Sequence, residues 1–243
     1  MKAILITVRT GSTRLPNKST LKIKDKHTIE YVIDNVKKSK YADKIILCTT
    51  DLEEDKILCD IADRNNIDFY RGDEHNKLKR WYEACIKHSV TSFATADGDD
   101  LFYDAGLADL CFEQLKNNIL IDGQGLYNDV YGINTFCLSK LLGFKSNDII
   151  EPHNIVDCIK NDPILFHHLK VKRISNVPDI FIKNDIRMTL DYKEDFEFFK
   201  KVIEYLPNDK FGLSEIISYI NDNPEIKNIN NYLEEQWQVN QQK

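Results

Sequence analysis

Ala3-Ile4-Leu5-Ile6-Thr7-Val8-Arg9-Thr10-Gly11-Ser12-Thr13-Arg14-Leu15-Pro16-Asn17-Lys18 is the stretch on which the reading of this 243-residue chain turns. Residues 3–8 form a short apolar run rich in branched side chains, the pattern of a strand buried on both faces. The segment that follows carries a glycine, small hydroxyl residues and the fixed cations Arg9, Arg14 and Lys18. Gly11 lets a backbone approach an anion closely, and the Ser12 and Thr13 hydroxyls and adjacent amides can donate to phosphate oxygens. Neither Gly-x-x-x-x-Gly-Lys nor Gly-x-Gly-x-x-Gly is present, so a phosphate loop of another kind is required.

Beyond this stretch, apolar runs alternate with longer helical patterns. Strands are predicted at 3–8, 44–49, 67–70 and 91–95, with helices at about 28–39, 53–65 and 76–88 between them. This βα alternation predicts a mainly parallel sheet covered by helices on both faces, with ligands beyond the carboxyl ends of the strands. The second half is less regular. A helix is expected at 104–117, short strands near 119–121 and 129–136, a helix at 151–160 and a strand at 164–171. Ile186-Arg187-Met188-Thr189-Leu190 reads as a further strand, followed by helices at 193–205 and 213–222. Ile226, Ile229, Tyr232, Leu233 and Trp237 are expected to pack as a last helix. No internal repeat or Pro/Gly/Ser-rich linker marks a boundary, so one domain is expected, with a first half at about 1–118 and a second at about 119–243.

Charged residues make up 30% of the chain and the net charge is −6, which gives no global field for nucleic acid. No run approaches the roughly 20 apolar residues of a membrane span, and a soluble cytoplasmic protein is expected. Cys48, Cys59, Cys85, Cys111, Cys137 and Cys158 are scattered singly through apolar segments and read as small buried hydrophobes.

Two acidic clusters complement the basic loop. Thr95-Ala96-Asp97-Gly98-Asp99-Asp100 falls at another strand end; it reads either as a polar turn or as carboxylates gathered for a hard cation such as Mg2+. Asp191 follows the 187–190 run and reads both as a helix N-cap and as a second metal ligand. Asp99 and Asp191 around one magnesium ion, with Arg9, Arg14 and Lys18 around a triphosphate, would have the parts for nucleotidyl transfer.

The chain resembles the cytidylyltransferases of the spore-coat polysaccharide (SpsF) type, relatives of the acylneuraminate and 3-deoxy-manno-octulosonate enzymes. The residues that carry the resemblance are Arg9 to Lys18, Tyr70-Arg71-Gly72-Asp73, Leu78-Lys79-Arg80-Trp81-Tyr82, Gly98-Asp99, Glu151-Pro152-His153 and Arg187 to Asp195. It implies the nucleotide-diphospho-sugar transferase fold, a three-layer α/β/α sandwich with an α+β acceptor-binding elaboration. It also implies transfer of CMP from CTP to an acidic sugar or other anionic small molecule, with Mg2+ and release of pyrophosphate. Arg9 and Lys18 would hold phosphates, Gly11, Ser12 and Arg14 would line the loop, and Asp99 and Asp191 would bind metal. Thr49, Arg71, Arg80 and Asp97 extend the nucleotide set; Tyr131, Asn134, His153 and Arg187 form the acceptor set. The resemblance further implies that about 1–118 is the nucleotide-binding half and about 119–243 the acceptor half, with a homodimer paired through the latter. Where relatives carry a proline, this chain has Gly98-Asp99-Asp100-Leu101, which leaves open whether Asp97 or Asp100 shares the metal. A phosphorylated or phosphonate acceptor, another nucleotide, and a non-catalytic nucleotide-binding role remain alternatives.

Overall fold

A computed structural model describes residues 1–117, 119–144, 155–206 and 212–241. The first run forms β1 (Lys2–Thr7) at the centre of a seven-stranded sheet. A small hairpin, β2 (Lys22–Ile23) and β3 (Lys26–His27), leads into α1 (Thr28–Val36). The βα wiring continues through β4 (Lys44–Thr50), α2 (Lys56–Arg64), β5 (Asp68–Gly72), α3 (Lys77–Lys87) and β6 (Ser92–Asp97). Next come α4 (Ala105–Gln114), β7 (Leu120–Gly123), β8 (Val130–Asn134), α5 (Thr135–Phe144), α6 (Ile155–Asn161), α7 (Pro163–His168) and β9 (Val171–Arg173). The last stretch holds α8 (Lys193–Tyr205), α9 (Leu213–Asp222), α10 (Pro224–Lys227) and α11 (Leu233–Gln241).

The strand order is β5-β4-β1-β6-β8-β7-β9. β5, β4, β1 and β6 are mutually parallel, and β8 runs antiparallel to both β6 and β7. Side chains alternate across the strands, as the pleat requires. Ile4, Ile6 and Leu47 face a core filled by α1, α2, α4, α8 and α9, whereas Ala3, Leu5, Ile46 and Cys48 face α3, α5, α6 and α7. The result is the three-layer α/β/α sandwich with an α+β elaboration. Of the cysteines, five are buried and Cys158 is half-buried. No helix among the described residues is long and apolar enough to cross a membrane.

Three expectations are corrected. Residues 164–171 are helix α7 and then the start of β9. Asp162 caps that helix by accepting from the Ile164 and Leu165 amides, and Pro163 stands in its first turn, where proline is favoured. His167 and His168 are therefore exposed helical neighbours. Thr135 ends β8 and opens α5, so the strand expected to reach 136 stops at Asn134. Residues 186–190 belong to no strand; Ile186, Met188 and Leu190 are buried in the helical layer, and the Leu190 amide donates to the Asp99 carbonyl at 3.1 Å. The first turn expected at 151–154 lies outside the described residues.

The order reverses about β1 and β6, whose carboxyl ends pair Thr7 with Asp97. This switch point is where an open α/β sheet leaves a crevice. Gly98 permits the two ends to meet, since a Cβ there would lie 2.6 Å from Val8 Cβ. Gly98→Ala is expected to lower the unfolding free energy by about 1–3 kcal/mol, the usual cost of overpacking, as measured by urea denaturation.

Candidate active site

A cleft of about 910 Å³ opens at the switch point. Its floor is Thr7, Val8 and Asp97 to Asp100; one wall is the loop from Arg9 to Ser19, and another is the start of α3 with Lys77 and Arg80. Leu126, Tyr127, Asp129, Lys183, Thr189, Asp191 and Trp237 close the far side.

A buried carboxylate anchors the basic loop. Asp55, 1% exposed, accepts from both the amide and the hydroxyl of Thr10 at 2.7 Å, and from the amide and hydroxyl of Thr50 at the end of β4. Burial alone would raise its pKa, but these donors outweigh it and hold the carboxyl below its ordinary value. Farther along, Asn17 takes a left-handed conformation and Thr28 donates its hydroxyl to the Lys18 carbonyl at 2.5 Å. The loop therefore reaches Lys18 with its backbone held at both ends.

Lys18 is the hub. Its ammonium lies 2.7 Å from Asp99 Oδ2 and 2.9 Å from Asp191 Oδ1. Burial opposes its charge, but the two carboxylates prevail and raise its pKa. Arg14 adds a second cation to Asp191 Oδ1 at 2.8 Å. Asp191 is 2% exposed, and against burial the cations Lys18, Arg14 and Arg187 keep its carboxyl below the ordinary range. Asp97 pairs with Lys77 at 2.8 Å. Asp100 is buried beneath these groups, and desolvation together with Asp99, Asp97 and Asp129 pushes its pKa well up.

Two polar atoms on the cleft wall are buried without a hydrogen-bond partner: Ser19 Oγ and Arg80 Nε. Arg80 is 4% exposed, and burial, reinforced by Arg9 among its charged neighbours, lowers its pKa. An unsatisfied guanidinium nitrogen is costly, and an anion in the cleft would relieve it.

The structure brings Arg9, Gly11, Ser12, Arg14, Lys18, Arg80, Asp97, Asp99 and Asp191 to one cleft. Other candidates lie elsewhere. Thr49 is fully buried. Arg71 donates to the carbonyls of Thr50, Asp51 and Leu52, bracing the end of β4. Tyr131 is packed in the core. Asn134 pairs with Ser92 at the start of β6, the opposite edge of the sheet, because β8 runs antiparallel. Arg187 is fully buried, paired with Asp195 at 2.9 Å and Glu234 at 2.9 Å. Asp195 also accepts from the Asp191 and Tyr192 amides, so the helix-start role expected of Asp191 falls to it. His153 lies outside the described residues. Residue reading missed Asp55, Lys183 and Trp237 as groups of this site. Only Trp237 had a signal, the apolar spacing of the last helix.

A family model for cytidylyltransferases matches residues 3–131, just over half of the chain, and includes the basic loop and the Asp97–Asp100 floor. The chain belongs to the cytidylyltransferase family. This cytidylyltransferase is 29% identical over 236 residues to the uncharacterised protein MJ1063 of Methanocaldococcus jannaschii, covering 95% of each chain. It is 27% identical over 235 residues to the spore coat polysaccharide biosynthesis protein SpsF of Bacillus subtilis, covering 91% and 94%. In fold it is similar to a cytidylyltransferase from Leptospira borgpetersenii, with a TM-score of 0.79, 24% identity and coverage of 93% and 96%. A CMP:2-keto-3-deoxy-manno-octonic acid synthetase complexed with CTP also shares the fold, with a TM-score of 0.61, 12% identity and coverage of 84% and 99%.

Because Asp55 spends its oxygens on Thr10 and Thr50, Asp55→Asn is expected to lower stability by about 2–4 kcal/mol at pH 7, the scale of lost charge-assisted hydrogen bonds. A carboxyl held below its ordinary pKa contributes stability above that value and loses it as the pH falls through the folded pKa. The gap between variant and parent should therefore narrow below about pH 4. Urea unfolding at pH 7 and pH 3 checks both parts.

Proposed function

We propose that the cleft transfers CMP from CTP to an anionic small molecule, releasing pyrophosphate. The observation that carries this reading is the meeting of a cationic wall, Arg9, Arg14, Lys18 and the buried Arg80, with two carboxylates that converge on one point. Arg9 and Arg80 bind triphosphate oxygens, and the buried Arg80 Nε gains the acceptor it lacks. Lys18 turns from the carboxylates to the phosphates, where its charge offsets that building up on the departing pyrophosphate. The acceptor oxygen forms a bond to the α-phosphorus as the bond to the β-phosphate bridge breaks, and a hydroxyl acceptor gives its proton to solvent. Binding both partners in one cleft removes much of the entropic barrier.

The donor set suits magnesium. Asp99 Oδ2 and Asp191 Oδ1 both reach a single ammonium within 3 Å, at 2.7 and 2.9 Å, and oxygen ligands alone are what a hard divalent ion takes. Asp99 and Asp191 would hold Mg2+ once Lys18 has moved, and the ion would neutralise phosphate charge. On the far wall, Lys183 offers a cation to the acceptor's anionic group and Asp129 offers a carboxylate to its hydroxyls. SpsF is named for spore coat polysaccharide biosynthesis; by analogy the product here feeds a surface polysaccharide.

With CTP, Mg2+ and separate panels of acidic sugars and phosphorylated acids, pyrophosphate release is expected with at least one acceptor. Asp99→Asn should cut kcat by two or more orders of magnitude, roughly the scale of a lost electrostatic contact in the transition state, at unchanged melting temperature. Arg80→Ala should weaken CTP binding by about tenfold or more, in line with a charged hydrogen bond. No pyrophosphate from any acceptor, with no CTP binding by calorimetry, would overturn the proposal.

A further inference from the structure

The matched family region ends at residue 131, yet the carboxylate on which Lys18 and Arg14 converge is at 191, and a side chain farther on touches it. Trp237, on α11, donates its indole Nε1–H to Asp191 Oδ2 at 2.6 Å. That leaves Oδ1 to Lys18 and Arg14, at 2.9 and 2.8 Å. Oδ2 thus takes the indole N–H as its short hydrogen bond, with the Arg187 guanidinium farther off at 3.6 Å, and Oδ1 takes the two cations of the loop.

Trp237 is itself held firmly. Glu234 lies one turn earlier on α11 and on the same face; it takes Lys183 at 2.9 Å and Arg187 at 2.9 Å. Those same cations lie against the indole ring, 5.2 and 5.6 Å from its centroid, within cation–π range. Arg187 in turn is locked to Asp195, whose carboxylate accepts the Asp191 amide. The backbone of Asp191 is fixed from one side and its side chain from the other.

We infer that Trp237 is a positioning residue: its indole N–H sets the rotation of the Asp191 carboxylate, so that Oδ1 faces the phosphate loop. A charge-assisted bond to a neutral donor suits this task, since it restrains the carboxylate without cancelling its charge. The kinetic arm of the test rests on the proposed nucleotidyl transfer; the spectroscopic arm needs no turnover.

Trp237→Phe keeps the ring and removes the donor. Its kcat should fall by about tenfold or more, the scale of a misplaced reacting group, with the KM for CTP and the melting temperature close to those of the parent. Trp237→His, which restores a ring N–H, should recover part of the loss. The chain has two tryptophans, so the 15N-labelled parent gives two indole signals, and the one missing from Trp237→Phe is that of Trp237. In Asp191→Asn that signal should move upfield, toward the position set by a neutral acceptor.

A Trp237→Phe enzyme within about threefold of the parent in kcat, or a Trp237 signal unmoved by Asp191→Asn, would overturn the inference. So would a loss confined to the acceptor KM, which would give the side chain to acceptor binding instead. If the parent itself releases no pyrophosphate, the proposed function fails while the indole signals still decide this point. If Trp237→Phe does not fold, Trp237→His and the Asp191→Asn shift carry the test.

Discussion

One ammonium group joins three parts of this molecule that are far apart in sequence. Lys18 comes from the loop after β1, Asp99 from just after β6, and Asp191 from a segment outside the sheet. Like-charged carboxylates repel when brought together with no counter-ion, and here the cation between them is covalently part of the loop. The loop's conformation and the spacing of the acids are therefore coupled, and neither can relax alone. The Leu190 amide bonded to the Asp99 carbonyl repeats the link in the backbone. The cleft is an electrostatic seam between the sheet and the helical layer beside it.

The same logic runs outward in shells. Asp191 is buried with charge, which is tolerable only if that charge is matched, and Lys18, Arg14 and Arg187 match it. Arg187, fully buried, in turn needs Asp195 and Glu234. Asn230 donates to Asp195 and to the Arg187 carbonyl. A single buried acid thus recruits α8 and α11 into its support, and the late part of the chain is organised around it as much as around apolar packing.

The central sheet was legible because branched apolar runs of strand length, separated by helical patterns, have few other readings. The donor side of the cleft was legible for a related reason: parallel strands bring loop residues to a known edge, so Arg9, Lys18 and Asp99 could be placed from position alone. The far side was not. Asn134 lies at the wrong edge because nothing in its own side chain reports that β8 runs antiparallel. Residues 186–190 alternate apolar and polar like a strand, but that alternation does not require a hydrogen-bonded neighbour: Ile186, Met188 and Leu190 pack into the core and Arg187 is buried as well. Arg187 looks like an anion-binding residue in sequence, and only its burial against Asp195 shows that its charge is already spent. Asp162-Pro163, in contrast, was a readable helix start overridden by the apolar run behind it.

Asp55 has an implication for how this architecture changes over evolutionary time. It stands beside the cleft, is charged and buried, and bonds to the two threonines that close the loop base. Loss of Asp55 takes the acceptor from both threonines, and loss of either threonine hydroxyl takes a donor from a buried charge, so the three should drift as a group, with hydroxyls at 10 and 50 retained wherever an acid sits at 55. A survey that ranked positions by persistence alone would mistake this trio for substrate chemistry, when what it preserves is the hinge from which the basic loop hangs.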